Sequence, residues 1–178
     1  MAELPPQLLT EATEPAHRYR LRAPNIPETA KVARDMVAGL LAATGHPALV
    51  ETARLLVSEV VANVHLHTKV PLLSLEATIR GHRLHVSVRD DDPNGAPWPP
   101  EPRTPEAEAD AEHGRGLLLV QACADAWGTV WHGGIQRTGK SVWFSLSDTP
   151  GPPTPAATTV TSAGHGGTSP AASGAPDR

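Results

Sequence analysis

Glu59, Asn63 and His67 stand four residues apart in the run Ser58-Glu59-Val60-Val61-Ala62-Asn63-Val64-His65-Leu66-His67. On an α-helix that interval puts all three side chains on one face. An amide oxygen at Asn63 suits Mg²⁺, a hard cation that takes oxygen ligands and keeps several waters. A carboxylate one turn away, at Glu59, suits orienting or deprotonating a nucleophile. Taken alone, the same residues equally suit the solvated edge of an amphipathic helix.

Three further segments carry chemistry. Asp90 closes the apolar alternation Val86-Ser87-Val88-Arg89, where a carboxylate can accept a hydrogen bond from an amino group such as that of adenine. Aspartate is also an ordinary turn residue. His113-Gly114-Arg115-Gly116-Leu117 sets two glycines before an apolar run. Glycines admit a close backbone approach, the following helix start offers free N–H groups to phosphate, and Arg115 adds a charged donor. A plain loop-to-helix junction has the same appearance. Gly134 to Ser141 satisfies the P-loop pattern GxxxxGK[ST], but that pattern needs a helix after the lysine. Val142-Trp143-Phe144-Ser145-Leu146 is β-rich, so the match is assigned to chance on a β-hairpin.

The elements that must position these residues follow from periodicity. His17 to Ala23 alternates weakly and reads as an edge strand, ended by Pro24 and Pro27. Val32, Met36 and Leu40, with Val37 and Leu41, recur at helical spacing from Glu28 to Thr44, and Gly45 stops the run. Pro47 opens a second helix that reaches His67, with Leu49, Ala53, Leu56, Val60 and Val64 on one stripe. Val70 to Arg80 and Leu84 to Val88 alternate as two strands around the turn Gly81-His82. A short helix from Leu117 to Ala124 and strands at Trp127 to His132 and Ser141 to Ser147 complete the order. Trp127 and Trp131 share a strand face and read as core. The sum is an α/β chain, in the α+β two-layer sense: a mostly antiparallel sheet with helices packed on one face.

Composition bounds the rest. The chain has 178 residues and a net charge of −4, which gives no basic footprint for direct nucleic-acid binding. A single cysteine, Cys123, excludes an intramolecular disulfide and, with so few thiols, no zinc pattern forms. His65 and His67 point to different sides of their helix and cannot clamp one metal. No apolar run reaches membrane length and no secretion signal opens the chain, so the expected location is cytoplasmic. Residues 1–15 are expected to be flexible, 16–148 to form one domain with a Pro-rich acidic lid at about 93–113, and 149–178 to be a disordered Pro/Gly/Ala/Ser/Thr tail.

The order of these pieces resembles the GHKL (Bergerat-fold) ATP-binding domain of histidine kinases and gyrase. Within that group it is most similar to the single-domain anti-sigma-factor serine/threonine kinases of bacteria. The likeness covers about Arg20 to Ser147 and rests on S-E-x-V-x-N-x-x-x-H, a strand ending in Asp, G-R-G-L-x-L-V and a closing Gly-Lys strand. It implies ATP and Mg²⁺ as cofactors. Asn63 matches the magnesium ligand and Glu59 the catalytic acid of the same box, a base toward a protein serine hydroxyl. Asp90 matches the adenine-binding carboxylate, and Gly114, Arg115, Gly116 and Leu117 match the phosphate-contacting turn. Ser141 lies near the hydroxyl that supports the adenine site. The implied partners are a STAS-type anti-anti-sigma protein, a sigma factor and, optionally, a second copy of the chain.

The sequence departs from the family at the D-x-G-x-G motif. Asp90 is followed by Asp91-Asp92-Pro93-Asn94-Gly95, so both glycine positions are substituted and Asp91 or Asp92 are alternative anchors. Two other functions therefore stand beside the kinase: a non-catalytic module that uses ATP as a conformational ligand, and a stand-alone ATPase or histidine-kinase-like catalytic domain.

Overall fold

The structure, a computed structural model, describes residues 15–94 and 115–148, with the backbone alone for 115–117 and the two-residue strand 160–161. Strand β1 is His17–Pro24, helix α1 Pro27–Ala43, a 3-10 turn Pro47–Leu49, and helix α2 Val50–His67. Strands β2 (Leu72–Arg80) and β3 (Arg83–Asp90) follow, then helix α3 (Arg115–Cys123) and strands β4 (Ala126–His132), β5 (Gly139–Ser147) and β6 (Val160–Thr161). The sheet order is β1-β2-β3-β5-β4-β6. The first five strands pair antiparallel, and β6 adds a two-residue parallel contact to β4. This is the expected α/β architecture. The expectations for the lid, for residues 1–14 and for most of the tail lie outside the described residues.

Strand alternation divides the sheet into two faces. On one face Leu73, Leu75, Ala77 and Ile79 of β2 meet Leu84, Val86 and Val88 of β3 and Val142, Phe144 and Leu146 of β5. These side chains pack in one cluster with the helices. Helix α2 buries Ala53, Leu56, Val57, Val60, Val61 and Val64 against it. Full burial of a valine or leucine contributes about 1.5–3 kcal/mol, so this helix is held by its packed face.

Helix α1 starts at Pro27, whose missing N–H costs nothing in the first turn. Its inward stripe differs from the expected one. Ala33, Val37, Ala38 and Leu41 are buried, whereas Val32 is 54% exposed. The helix lies close enough that small alanines face the core and the larger Val32 rides outside. Asn25, between β1 and α1, ties the end of α2 to the sheet: its Nδ2 donates to Val70 O at 3.0 Å and Thr68 Oγ1 at 3.4 Å. Thr68 itself donates to Val64 O at 2.8 Å.

The opposite face of the sheet is polar. Arg18, Arg20 and Arg22 of β1 lie on it beside Ser74, Glu76 and Thr78 of β2. Arg20 Nε donates to Glu76 Oε2 at 2.7 Å, and Arg18 approaches the other oxygen at 3.4 Å. Such exposed pairs add little stability.

Phe144 is completely buried on the central strand β5. Phe144→Ala should therefore destabilise the chain by about 3–5 kcal/mol in urea unfolding, whereas Val32→Ala should change it by less than about 0.5 kcal/mol.

Candidate functional site

One row of residues crosses the sheet at the end where β3 finishes. Leu73 of β2 lies opposite Asp90, Asp90 opposite Lys140, and Lys140 opposite Trp131. All four are on the helix-facing side. Asp90 is 1% exposed and Lys140 6% exposed. Lys140 Nζ sits 3.2 Å from Asp90 Oδ1 and 3.1 Å from Oδ2. Oδ1 also accepts the Asp92 N–H at 3.1 Å. Oδ2 has the ion contact but accepts no hydrogen bond, so it keeps an unused acceptor position in a buried place. Burial pushes the Asp90 carboxyl above its ordinary value, and the Lys140 ammonium only partly opposes this.

The neighbouring carboxylates are placed differently. Asp91 is exposed and pairs with Arg89 Nη2 at 3.0 Å. Asp92 Oδ1 accepts the Asn94 N–H at 2.9 Å, an aspartate turn of the ordinary kind. Of the three, only Asp90 is buried on the helix side. Gly139 permits this packing. Its φ is +145°, and a Cβ there would meet Asp91 Cα at 2.8 Å and the Asp90 carbonyl oxygen closer still.

Helix α2 runs toward this end of the sheet and carries Glu59 at its middle and Asn63 in its last turns. Five residues after His67 the chain enters β2, whose Leu73 pairs with Asp90. Both side chains are half-buried, and neither bonds to another described side chain. His67 is exposed. Helix α3 packs against α2 and begins at Arg115. Its first backbone N–H groups have no partner within the helix, as at any helix start. Gly114 lies outside the described residues, and Gly116 and Leu117 are placed as first-turn backbone of α3.

Ser141 is not brought to this group. It is one residue beyond Lys140, so its side chain falls on the polar face, where its Oγ is 2.8 Å from His132 Nε2. There it helps to line a shallow groove of about 350 Å³ with Arg20, Glu76, Ser87 and Arg89. Two residues not assigned to the site from sequence take the inward positions instead. One is Lys140. The other is Thr129 of β4, 1% exposed, with an Oγ1 that has no hydrogen-bond partner among the described residues. Lys140 is the lysine of the run that looks like a P-loop; here it lies inside β5, so a strand and not a helix follows it directly. Trp131 closes the row, with Arg137 Cζ stacked 4.1 Å from its ring centre.

The arrangement offers a buried carboxylate with a vacant acceptor, an unpaired amide and carboxylate on one helix, and a helix start beside them. That set fits a ligand with an amino donor at one end and an anionic group at the other. A sequence model of the histidine kinase-like ATPase domain matches residues 23–146, from the end of β1 to the end of β5. No curated protein matches the chain.

The buried pair gives a pH-dependent signature. Because the folded-state value of Asp90 lies above its unfolded one, its contribution to stability is full below the ordinary carboxylate range and is lost as pH rises through the raised value. Lys140→Met removes the opposing charge and should steepen that loss. Asp90→Asn with Lys140→Met should flatten it. Urea unfolding from about pH 4 to about pH 8 reads both slopes.

Proposed function

The chain belongs to the histidine kinase-like ATPase domain family, and on that premise we propose that it is an ATP-dependent regulatory protein kinase. Its substrate is a serine or threonine hydroxyl on a STAS-type anti-anti-sigma partner, and its regulatory target is a sigma factor. The observation that supports the reading is that Glu59 and Asn63 lie half-buried on one helix, with no side-chain hydrogen-bond partner among the described residues, and that this helix runs toward the sheet end that holds the buried Asp90.

The residues fit the two groups that the family implies. The vacant Oδ2 of Asp90 suits the exocyclic amino group of adenine, which needs one buried acceptor. The Asn63 amide oxygen suits a hard divalent cation that keeps most of its waters. Magnesium, when bound, supplies charge neutralisation at the phosphates. The start of α3 adds backbone N–H donors for the same oxygens, and by its residue type Arg115 would suit them as a charged donor. Glu59 then accepts the proton of the incoming hydroxyl as its oxygen bonds to the γ-phosphorus and the bond to the β-phosphate oxygen breaks, leaving ADP. Phosphoryl transfer depends chiefly on positioning and charge stabilisation, so few protein groups suffice.

One observation favours a second reading, an ATP-binding module without chemistry. Lys140 already sits on the base-reading carboxylate, so a nucleotide must share Asp90 with it. Such a site would favour slow exchange and use of the nucleotide as a conformational ligand.

Glu59→Gln separates the two. With γ-labelled ATP, Mg²⁺ and STAS-type partners, the wild type should label a Ser or Thr and Glu59→Gln should lose about 10²–10⁴-fold in rate while keeping ATP affinity. Labelling of no partner by ATP-loaded wild type would sink the kinase reading. Asp90→Asn should weaken ATP binding whichever reading holds.

A further inference from the structure

At the other end of the sheet, three residues from distant parts of the sequence converge. Asp148 follows the last residue of β5, His46 precedes the 3-10 turn, and His82 lies in the β2–β3 turn. Asp148 Oδ2 is 2.9 Å from His46 Nδ1, and Asp148 Oδ1 is 3.0 Å from His82 Nδ1. One ligand atom from each residue falls within 4.8 Å of the others. We propose that His46, His82 and Asp148 form a binding site for a zinc-class divalent cation that clamps the α1–α2 loop, the β2–β3 turn and the end of β5 together.

The donor set is right for such an ion. Two imidazole nitrogens and one carboxylate are the ligands of open zinc sites, which leave a fourth position to water. Tetrahedral zinc with bonds near 2.0–2.2 Å holds its ligand atoms roughly 3.4 Å apart. The two nitrogen-to-oxygen separations, 2.9 and 3.0 Å, are a few tenths of an ångström shorter and run to different oxygens of Asp148. His82, whose side chain is 76% exposed, has room to reorient around an ion.

Two features make the cluster more than a chance pairing. The backbone holds the ligands before any ion arrives: His46 N donates to Leu41 O at 2.8 Å, and Asp148 N donates to His82 O at 3.2 Å. The turn at Gly81, with φ +49°, aims His82 back at the sheet end. In addition, Asp148 Oδ1 is buried and receives no well-directed hydrogen bond, although His82 Nδ1 is close. A cation satisfies both carboxylate oxygens where a single histidine proton does not. A cavity beside the cluster, lined by His17, Thr44, His46 and Gly81, gives water and ions a way in.

The site is independent of the nucleotide reading. His82 and Asp90 bracket β3, eight residues apart, or roughly 25 Å along the strand. Magnesium with ATP at one end would leave the other untouched.

The test uses the untagged full chain without nucleotide, titrated with Zn²⁺ by calorimetry and with Co²⁺ by visible absorption. One Zn²⁺ per chain, a raised Tm and a strong tetrahedral cobalt spectrum are expected. His82→Ala and Asp148→Asn should each weaken zinc at least about tenfold. His82 is too exposed for its loss to unfold the chain, and asparagine keeps an acceptor for His46. His67→Ala, on exposed α2 surface, should change nothing. No zinc binding by the wild type would overturn the proposal. So would zinc binding of equal strength in both ligand variants, since the metal would then sit on other histidines.

Discussion

The sheet has one face that must stay dry, and everything else is arranged around that face. Leu75, Ala77, Val86, Val88, Val142 and Phe144 supply it, and α1 and α2 cover it. Backbone pairing fixes the register, so each strand has no choice about which side chains go inward. At the end of the sheet the same rule delivers charged residues into the dry layer. Asp90 follows Val88 by two, and Lys140 precedes Val142 by two, so both continue the apolar rows and meet each other. Their pairing follows from the register that builds the core.

That placement explains the character of the site. A carboxylate in a dry layer is expensive to keep charged and correspondingly strong as a recognition group. Lys140 keeps it tolerable without saturating it, and the vacant oxygen is what a ligand would read. The helix that supplies Glu59 and Asn63 is held from two directions, by its apolar stripe and by the Asn25 and Thr68 bonds at its end. Glu59 and Asn63 thus stand on a helix anchored both along its length and at its end.

Much of this was legible in the amino-acid sequence, because periodicity is local. The apolar stripe of α2 and the alternation of β2 and β3 mark their elements without help from distant residues. The inward side of α1 was less so, since Val32 outranks Ala33 in hydrophobicity although the close approach of the helix demands the smaller residue. Ser141 was named through the resemblance, near the hydroxyl that supports the adenine site. The alternation Val142, Phe144, Leu146 sets Lys140 inward and Ser141 outward, but that Lys140 meets Asp90 depends on register with a strand fifty residues away, and no local pattern encodes it. The contact of His46 with Asp148 is equally hidden, joining a helix-to-helix loop to the end of the last long strand. Gly114 and the acidic loop before it were prominent in sequence but lie outside the described residues.

Among the described residues the strand β1 borders the sheet, and a border strand presents backbone groups to which another chain could pair. Arg18, Arg20 and Arg22 stand at every second position along it, all leaning to the same side. A second molecule adding its own β1 there would bring a matching file of guanidinium groups against the first, with only Glu76 nearby to absorb charge. Growth of the sheet from molecule to molecule is thus opposed by electrostatic repulsion at the border where it would begin. Three residues that take no part in the core set the electrostatic character of this border.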